Sequence, residues 1–297
     1  MVKISYVFPS MRQGPGQFRS GLLTRYEEAV PLGCRYLEVP ANGVRNIKEE
    51  KQTGICVCEM LTGDAIEKLY TPADTVPDDL EYILHTDPSF HQRGLDGVTH
   101  PAADLRWHDG DWLQRFCEMQ IAISEYLGAP ASIIEIHPGS NRSVSMKDIA
   151  RAMQKIRQVY GDHFGGVAPR IVLENRTGSL IENGRQLREF WMAMQEHTPE
   201  LARESGIVLD FSALFSTAGK RNDSFEDYLT AVPVEGIVGL HVHTRHQAPS
   251  ADDALPWDVV FEKVAAIPHD FFINPEIHHK NKVGETIAFC ERYLNSK

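Results

Sequence analysis

The chain has 297 residues, of which 42% are hydrophobic, and its 30 basic and 41 acidic side chains give a formal net charge of −11. This composition supports one large globular domain, and no apolar run approaches the roughly 18 residues that a membrane span requires. The acidic balance argues against a nucleic-acid ligand, without excluding one, because basic side chains supply most non-specific affinity for phosphates.

The five cysteines are scattered, odd in number and without a CxxC pair. This usage is typical of reduced thiols. The N-terminal stretch MVKISYVFPS has the pattern of a strand rather than that of a signal peptide. We therefore expect a cytoplasmic protein with no membrane partner.

Strand and helix patterns alternate through the first half of the chain. Strands are predicted at 3–8, 35–39, 81–85 and 132–137. Helices are predicted at 18–32, which Gly33 ends, at 112–127, which Asp109 or Asp111 caps, and after a capping box formed by Ser145 and Asp148. Long loops are expected at about 40–80 and 87–111, and the second should lie on the face where the strands end.

The second half of the chain continues the alternation. Strands are predicted at 171–174, 207–210, 238–243 and 272–276, and helices at 182–196, after Ser224, at 256–266 and at 283–295. Eight strands alternating with helices, with apolar runs such as SIIEI and RIVLE, indicate a parallel sheet. The count of eight predicts an α/β fold, a (β/α)8 TIM barrel, as a single domain over 1–297. An open doubly wound sheet is the alternative, but no GxGxxG or P-loop supports it.

Each of the last four predicted strands ends in a residue that can bind a metal. These residues are Glu174, Asp210, His243 and Glu276, which are 33 to 36 positions apart. Parallel barrel strands present their C-terminal ends on one face, so these side chains should converge. Three carboxylates and one imidazole suit Mn2+, Zn2+, Co2+ or Mg2+. Burying the carboxylates without a cation would be costly.

Two histidines, His85 and His137, lie at earlier strand ends. They predict a second metal site that shares Glu174 as a bridge, so one or two ions are expected. Each residue alone has an ordinary structural explanation, such as an N-cap for Asp210. The coincidence of six such residues at strand ends favours a metal centre.

Four further residues are candidates for substrate binding. Arg176 and His241 lie two positions from Glu174 and His243, respectively, and therefore share their side of the backbone. Arg176 suits a phosphate or an alkoxide, or else a surface ion pair, and His241 is either a substrate group or a support for a ligand. Arg245 follows on the loop, and Glu38 lies on the second strand.

This layout resembles the xylose-isomerase-like TIM barrels, which include xylose isomerase, ketose 3-epimerases, inosose dehydratase and endonuclease IV. The resemblance runs from LGCRYLEVP to NPEIHH. It is carried by HPGS at 137–140, LENRTG at 173–178, LDFS at 209–212, HVHT at 241–244 and NPE at 274–276. It implies that Glu174, Asp210, His243 and Glu276 bind a catalytic divalent metal, with His243 rather than His241 as the imidazole ligand.

The sugar-active branch implies that Glu174 and Glu276 are opposed acid–base groups. A metal there holds adjacent substrate oxygens and stabilises an enediolate, which makes the α-proton removable. The branch also implies a small carbohydrate substrate and a homo-oligomer. Arg176 occupies the place of a lysine in xylose isomerase, and an arginine cannot carry a proton.

The endonuclease IV branch implies instead a zinc ion at His85, His137 and Glu174. The sequence departs from that branch at Ala213, where a histidine is expected, and in the segment HQAPSADDALPWD, which lacks an Asp-x-His pair. Ketose epimerases usually have the same histidine. Ala213 thus also weakens a close match to them. The four-residue ligand set and the acidic balance make a metal-dependent sugar or sugar-phosphate isomerase or epimerase the leading hypothesis. The alternatives are an endonuclease IV-like phosphodiesterase (AP endonuclease) and a barrel that binds a ligand without turnover.

Overall fold

Eight parallel strands close into a barrel, as predicted. The computed structural model describes residues 2–10, 22–41, 44–45, 58–60, 81–86, 105–277 and 279–295, with single positions between 63 and 79. The barrel strands are β1 (Ile4–Phe8), β2 (Cys34–Pro40), β3 (Glu81–His85), β4 (Ile133–Ile136), β5 (Arg170–Glu174), β6 (Gly206–Asp210), β7 (Ile237–His241) and β8 (Phe271–Asn274). Sequential strands are neighbours, and β8 pairs with β1 to close the sheet. A short antiparallel pair, Val44–Arg45 and Cys58–Glu59, lies outside the barrel sheet.

Helices connect the barrel strands. They are α1 (Leu22–Ala29), α2 (Gly110–Leu127), α3 (Met146–His163), α4 (Gly184–His197), α5 (Pro199–Ala202), α6 (Phe211–Arg221), α7 (Phe225–Ala231), α8 (Trp257–Ala265) and α9 (Val283–Asn295). Single 3-10 turns occur at Val30–Leu32, Val234–Gly236 and Lys280–Lys282. Within the described part of the chain, no helix is long and apolar enough to cross a membrane.

The predicted helix boundaries follow from local capping. The Asp109 carboxylate accepts hydrogen bonds from the backbone N–H groups of Asp111 and Trp112, each at 3.0 Å, and so starts α2. The capping box of Ser145 and Asp148 is formed at the start of α3. The predicted start of the first helix at 18 and most of the long loops at 40–80 and 87–111 fall outside the described residues.

The last two barrel strands end two residues earlier than predicted, at His241 and Asn274. His243 and Glu276 therefore lie on the loops that follow β7 and β8, not at the strand ends. The side chain of Asn274 accepts the Glu276 N–H at 3.0 Å, and Glu276 turns into the left-handed region with φ of 36°. A hydrogen bond from the backbone to the Asn274 side chain thus replaces the strand-to-strand hydrogen bonds at the end of β8. An alternating pattern in the sequence does not reveal this change.

The barrel interior changes character along its axis. Its lower layer is a cluster of seven apolar side chains: Val7, Ile83, Ile133, Val172, Val208, Val238 and Phe272. Two residues further along, on the same face of β3, β4, β5 and β6, the side chains become ionisable: His85, Glu135, Glu174 and Asp210. The apolar layer therefore supports a polar layer at the C-terminal face, where TIM-barrel sites lie.

We predict that Gly239→Ala destabilises the protein by about 1–3 kcal/mol, because overpacking costs that much in a close-packed core. Gly239 of β7 pairs with Phe272 of β8, and a methyl group there would overlap the Phe272 ring. Urea unfolding measures the change.

The control is Gly219→Ala within α6, where the added carbon meets nothing within 4 Å. It should stabilise the helix by about 0.5–1 kcal/mol. Equal effects of the two substitutions would contradict this packing.

Candidate metal centre

The structure brings all six predicted metal-binding residues together at the C-terminal mouth of the barrel. They are His85, His137, Glu174, Asp210, His243 and Glu276. Glu276 is the most accessible of them, with 19% of its side chain exposed, whereas the Glu174 side chain is 4% exposed. Several sets of three side chains place ligand atoms within 4.8 Å of one another, a spacing that suits a shared metal ion.

One set consists of His85, His137 and Glu174. The Nε2 atoms of the two imidazoles lie 3.1 and 2.8 Å from the same Glu174 oxygen, Oε2. The Nδ1 atoms face acceptors: the Glu38 carboxylate at 2.6 Å from His85, and the Thr86 carbonyl for His137. An acceptor next to Nδ1 requires that Nδ1 carry the ring proton. In the neutral forms of His85 and His137 the Nε2 atoms therefore carry lone pairs. Lone pairs facing a buried carboxylate oxygen need a proton or a cation between them.

The second set adds Asp210, His243 and Glu276 around the other side of Glu174. Nε2 of His243 lies 2.9 Å from Oε2 of Glu276 and 3.5 Å from Oδ1 of Asp210. His243 Nε2 and Glu276 Oε2 are buried and have no partner in hydrogen-bonding geometry among the described residues. Asp210 also accepts the backbone N–H of Ala213 at 2.9 Å as the N-cap of α6. Asp210 is therefore the N-cap of α6, and its role as a metal ligand stays a prediction.

Two residues lie at the centre of the site: His241, predicted as a substrate group or a support for a ligand, and Glu135, which was not predicted. His241 lies beneath the mouth with Nδ1 at 3.3 Å from Glu174 Oε1 and 3.2 Å from Glu276 Oε2. Its Nε2 lies 3.0 Å from Oε1 of Glu135, which is fully buried on β4. Glu135 was missed because SIIEI has the pattern of an apolar strand. The available signal was its position two residues before His137, on the same face of the strand.

The carboxylates of the site are held in their charged form. Burial alone would raise the pKa of Glu174, but His241 and His137 lower that pKa well below its usual range. Burial also opposes ionisation of Glu276, and His241 and then His243 lower its pKa well below the usual range. Both carboxylates are therefore ionised at neutral pH.

His85 and His241 carry compensating protons when no cation is present. Burial alone would lower the pKa of His85, but Glu135, Glu174 and Glu38 raise it well above the usual value. Burial likewise opposes the charge on His241, and Glu174 and Glu135 raise its pKa well above the usual value. A divalent cation would replace these protons, since metal ligation requires neutral imidazoles. Carboxylate and imidazole donors fit Zn2+, Mn2+, Co2+ or Mg2+.

The predicted substrate-binding residues occupy different environments. Glu38 is buried and accepts hydrogen bonds from His85 at 2.6 Å, from Asn274 at 3.1 Å and from the Ser10 N–H at 2.8 Å. Three donors on one buried carboxylate suit a role in orienting His85. Arg176 is half-buried just after β5, and Arg245 is exposed on the turn after β7 with φ of 51°. Substrate binding by these residues stays a prediction.

No family model matches the sequence, and a search of the curated proteins found no match. Solved structures do match. A D-tagatose 3-epimerase-like protein is 14% identical with a TM-score of 0.56, and the match covers 98% of this chain and 97% of that one. The IOLI protein, solved with a binding zinc atom, is 13% identical with a TM-score of 0.55 and 98% coverage of both chains.

The fold resemblance is confirmed: the chain has the fold of the xylose-isomerase-like TIM barrels. A family 2 AP endonuclease from Brucella melitensis shares this fold at 10% identity, with a TM-score of 0.50 and 99% coverage of both chains. At such identities the likeness concerns the fold alone, and function has to be argued from the site.

We predict that the metal-free protein is most stable between about pH 4.5 and pH 6.5. The raised pKa values of His85 and His241 contribute stability that is complete below the unfolded value of about 6.5 and is lost as pH rises. The lowered pKa values of Glu174 and Glu276 contribute stability above about 4.5 that is lost as pH falls.

Urea unfolding after chelation, at pH 6 and pH 8.5, measures this effect. Each such histidine should cost at most about 1.4 kcal/mol of stability per pH unit above pH 6.5. Added Zn2+ should reverse the loss. The control, His197→Gln at the end of α4, should leave the pH dependence unchanged. A metal-free protein equally stable at both pH values would contradict the assignment.

Proposed function

We propose that the protein is a divalent-metal-dependent isomerase or epimerase of a small sugar or sugar phosphate. The supporting observation is a pair of glutamates, Glu174 and Glu276, whose ligand oxygens lie within 4.8 Å, one deep in the barrel and one at its mouth. Glu174, Asp210 and Glu276 would hold the cation together with an imidazole, which the family resemblance assigns to His243. His85 and His137 would hold a second ion with Glu174.

The bound cation would supply Lewis-acid polarisation of a substrate carbonyl, which acidifies the neighbouring C–H bond. Glu276 is the accessible carboxylate, so it removes the proton from the substrate carbon at the mouth of the site. Glu174 lies below; in an epimerisation it would donate to the opposite face a proton that it takes up from solvent, and Glu276 would release the abstracted proton to solvent. His246 lies next to Glu276 with a side chain 40% exposed; its Nδ1 is 3.2 Å from the Glu276 carbonyl oxygen and 3.9 Å from the carboxylate oxygen Oε2.

The position of Glu276 also favours small substrates over long polymers. The accessible group, Glu276, lies against buried side chains, so the reacting carbon has to enter the mouth of the barrel to reach it. A small polyol with adjacent carbonyl and hydroxyl oxygens meets that requirement. A homo-oligomeric state, implied by the family resemblance, stays a prediction.

We predict that the metal-loaded protein exchanges the α-proton of at least one ketose or aldose for deuterium in D2O. Glu276→Gln should slow this exchange about 10²- to 10⁴-fold at saturating metal, because an amide cannot accept the proton. Proton NMR of a sugar panel measures the exchange. The matched control is Glu291→Gln on the exposed face of α9, which should keep wild-type exchange.

Absence of exchange with every sugar of the panel would contradict the isomerase proposal. If the metal-loaded protein then bound a sugar without exchange, the non-catalytic barrel would be the better explanation. If exchange occurred and Glu276→Gln retained it, another residue would be the base.

Metal-dependent phosphodiester hydrolysis is the second candidate. It is favoured by the set of His85, His137 and Glu174, in which both Nε2 atoms converge on one carboxylate oxygen. A two-metal clamp on a phosphoryl group requires such a second site. Ala213, in the first turn of α6, contributes only its backbone N–H to Asp210 and offers no ligand atom for a third ion.

We predict that the zinc-loaded protein does not cleave an oligonucleotide at an abasic site. An electrophoretic cleavage assay at low and physiological salt checks this outcome, with the same protein preparation assayed for sugar exchange. Cleavage that is lost in His137→Asn, in a preparation inactive on sugars, would establish the second candidate in place of the first.

A further inference from the structure

Asn175, which directly follows Glu174, connects two of the predicted metal-binding residues. Its side-chain amide is hydrogen-bonded to the backbone of Asp210, at the end of the neighbouring strand β6. We infer that Asn175 is a positioning residue, which holds Asp210 beside Glu174 at the spacing that a shared cation requires. This inference deepens the proposed function and rests on it for the presence of the cation.

Asn175 makes two hydrogen bonds with a single residue. Its Nδ2 group donates to the Asp210 carbonyl oxygen at 3.1 Å, and its Oδ1 atom accepts the Asp210 N–H at 2.9 Å. Asn175 is fully buried, and Asp210 is 8% exposed, so these bonds are shielded from water. An amide side chain carries a donor and an acceptor together, and it can therefore pair with both polar groups of one backbone residue.

The register of the barrel explains why Asp210 needs this partner. The backbone pairing between β5 and β6 ends at Glu174 and Val208, whereas β6 continues for two more residues, to Asp210. Buried backbone groups that lack a partner are costly. The Asn175 amide supplies a partner for both groups of Asp210 at the point where the neighbouring strand has ended. It thereby fixes the end of β6 relative to the end of β5.

Two threonines continue this connection to the helix that Asp210 caps. The Thr177 hydroxyl donates to the Ala213 carbonyl oxygen at 2.8 Å, and the Thr217 hydroxyl donates to Thr177 Oγ1 at 3.1 Å. The carboxylate of Asp210 accepts the Ala213 N–H at 2.9 Å. Asp210 is therefore fixed at its backbone by Asn175 and at its side chain by the first turn of α6.

The spacing of the carboxylates makes this restraint useful. Ligand oxygens of Glu174, Asp210 and Glu276 lie within 4.8 Å of one another. Ionised carboxylates this close repel each other, most strongly where water is excluded. Asp210 cannot move its backbone away from Glu174 without breaking its two bonds to Asn175. The ligand oxygens are thus held together before a cation arrives, and a site formed in advance binds more tightly.

Zinc affinity, measured by competition with a chromogenic chelator, tests the inference. Asn175→Ala should weaken binding about 10- to 100-fold, as expected for a residue that orients metal ligands. The matched control is Tyr160→Phe, which also removes two buried hydrogen bonds. The Tyr160 hydroxyl accepts the Ala131 N–H at 2.6 Å and donates to Ser124 at 2.7 Å, near the start of β4 and away from the mouth. This variant should bind zinc as the wild type does.

The visible absorption spectrum of bound Co2+ separates positioning from a general loss of stability, because its bands depend on coordination geometry. Asn175→Ala should change these bands, and Tyr160→Phe should keep the wild-type spectrum. Wild-type zinc affinity and cobalt spectrum in Asn175→Ala would overturn the inference and leave the proposed function standing. Equal losses of affinity in the two variants would overturn it as well. A wild-type protein that binds neither metal would overturn both the inference and the proposed function.

Crystals of the wild-type protein decide the matter if Asn175→Ala fails to fold. In metal-free and zinc-soaked crystals, both hydrogen bonds between Asn175 and Asp210 should be present, and Asp210 should shift by less than about 0.5 Å. Separation of Asp210 from Asn175 on zinc binding would show that the amide does not set the position of this ligand, and it would overturn the inference.

Discussion

The rest of the site depends on one constraint: a closed barrel encloses more carboxylates than its interior can hold without positive charge. Five acidic side chains lie in or around the upper layer: Glu38, Glu135, Glu174, Asp210 and Glu276. Charges in such a low-dielectric setting must be paired, protonated or bound to a metal. The apolar layer below excludes water from beneath them, and the ring of helices closes the outside. Histidines from β3 to β7 and their loops are the positive partners in direct contact with these carboxylates, and the Arg25 guanidinium of α1 also interacts with Glu38.

Glu174 lies between two groups of these histidines. One of its oxygens faces His85 and His137, and the other faces His241. Without a cation, protons on His85 and His241 provide balancing charge. With a cation, the same nitrogen atoms become ligands, and the protons leave. The arrangement that is costly without a cation is therefore one that a bound cation would stabilise.

The sequence predicted the barrel well because its signals are local. Apolar runs of strand length, the capping residues Asp109 and Ser145, and regular spacing all act within a few residues. The convergence of the six ligand candidates followed from the rule that parallel strands share one face. Three features were not predictable in this way, one because a side-chain–backbone bond replaces the strand ladder and two because they depend on distant contacts. The end of β8 is set by the Asn274 side chain, Glu38 is engaged by residues from three other segments, and Glu135 is recognisable only opposite His241.

The central claim is that a divalent cation replaces protons in this layer. Calorimetric titration of the chelator-treated protein with Zn2+ at pH 7, in buffers of different ionisation enthalpy, measures binding and proton release together. Saturable binding of one or two ions is expected, with apparent enthalpies that differ between buffers because about one or more protons leave the histidines. Absence of saturable binding, or binding with the same enthalpy in every buffer, would contradict it.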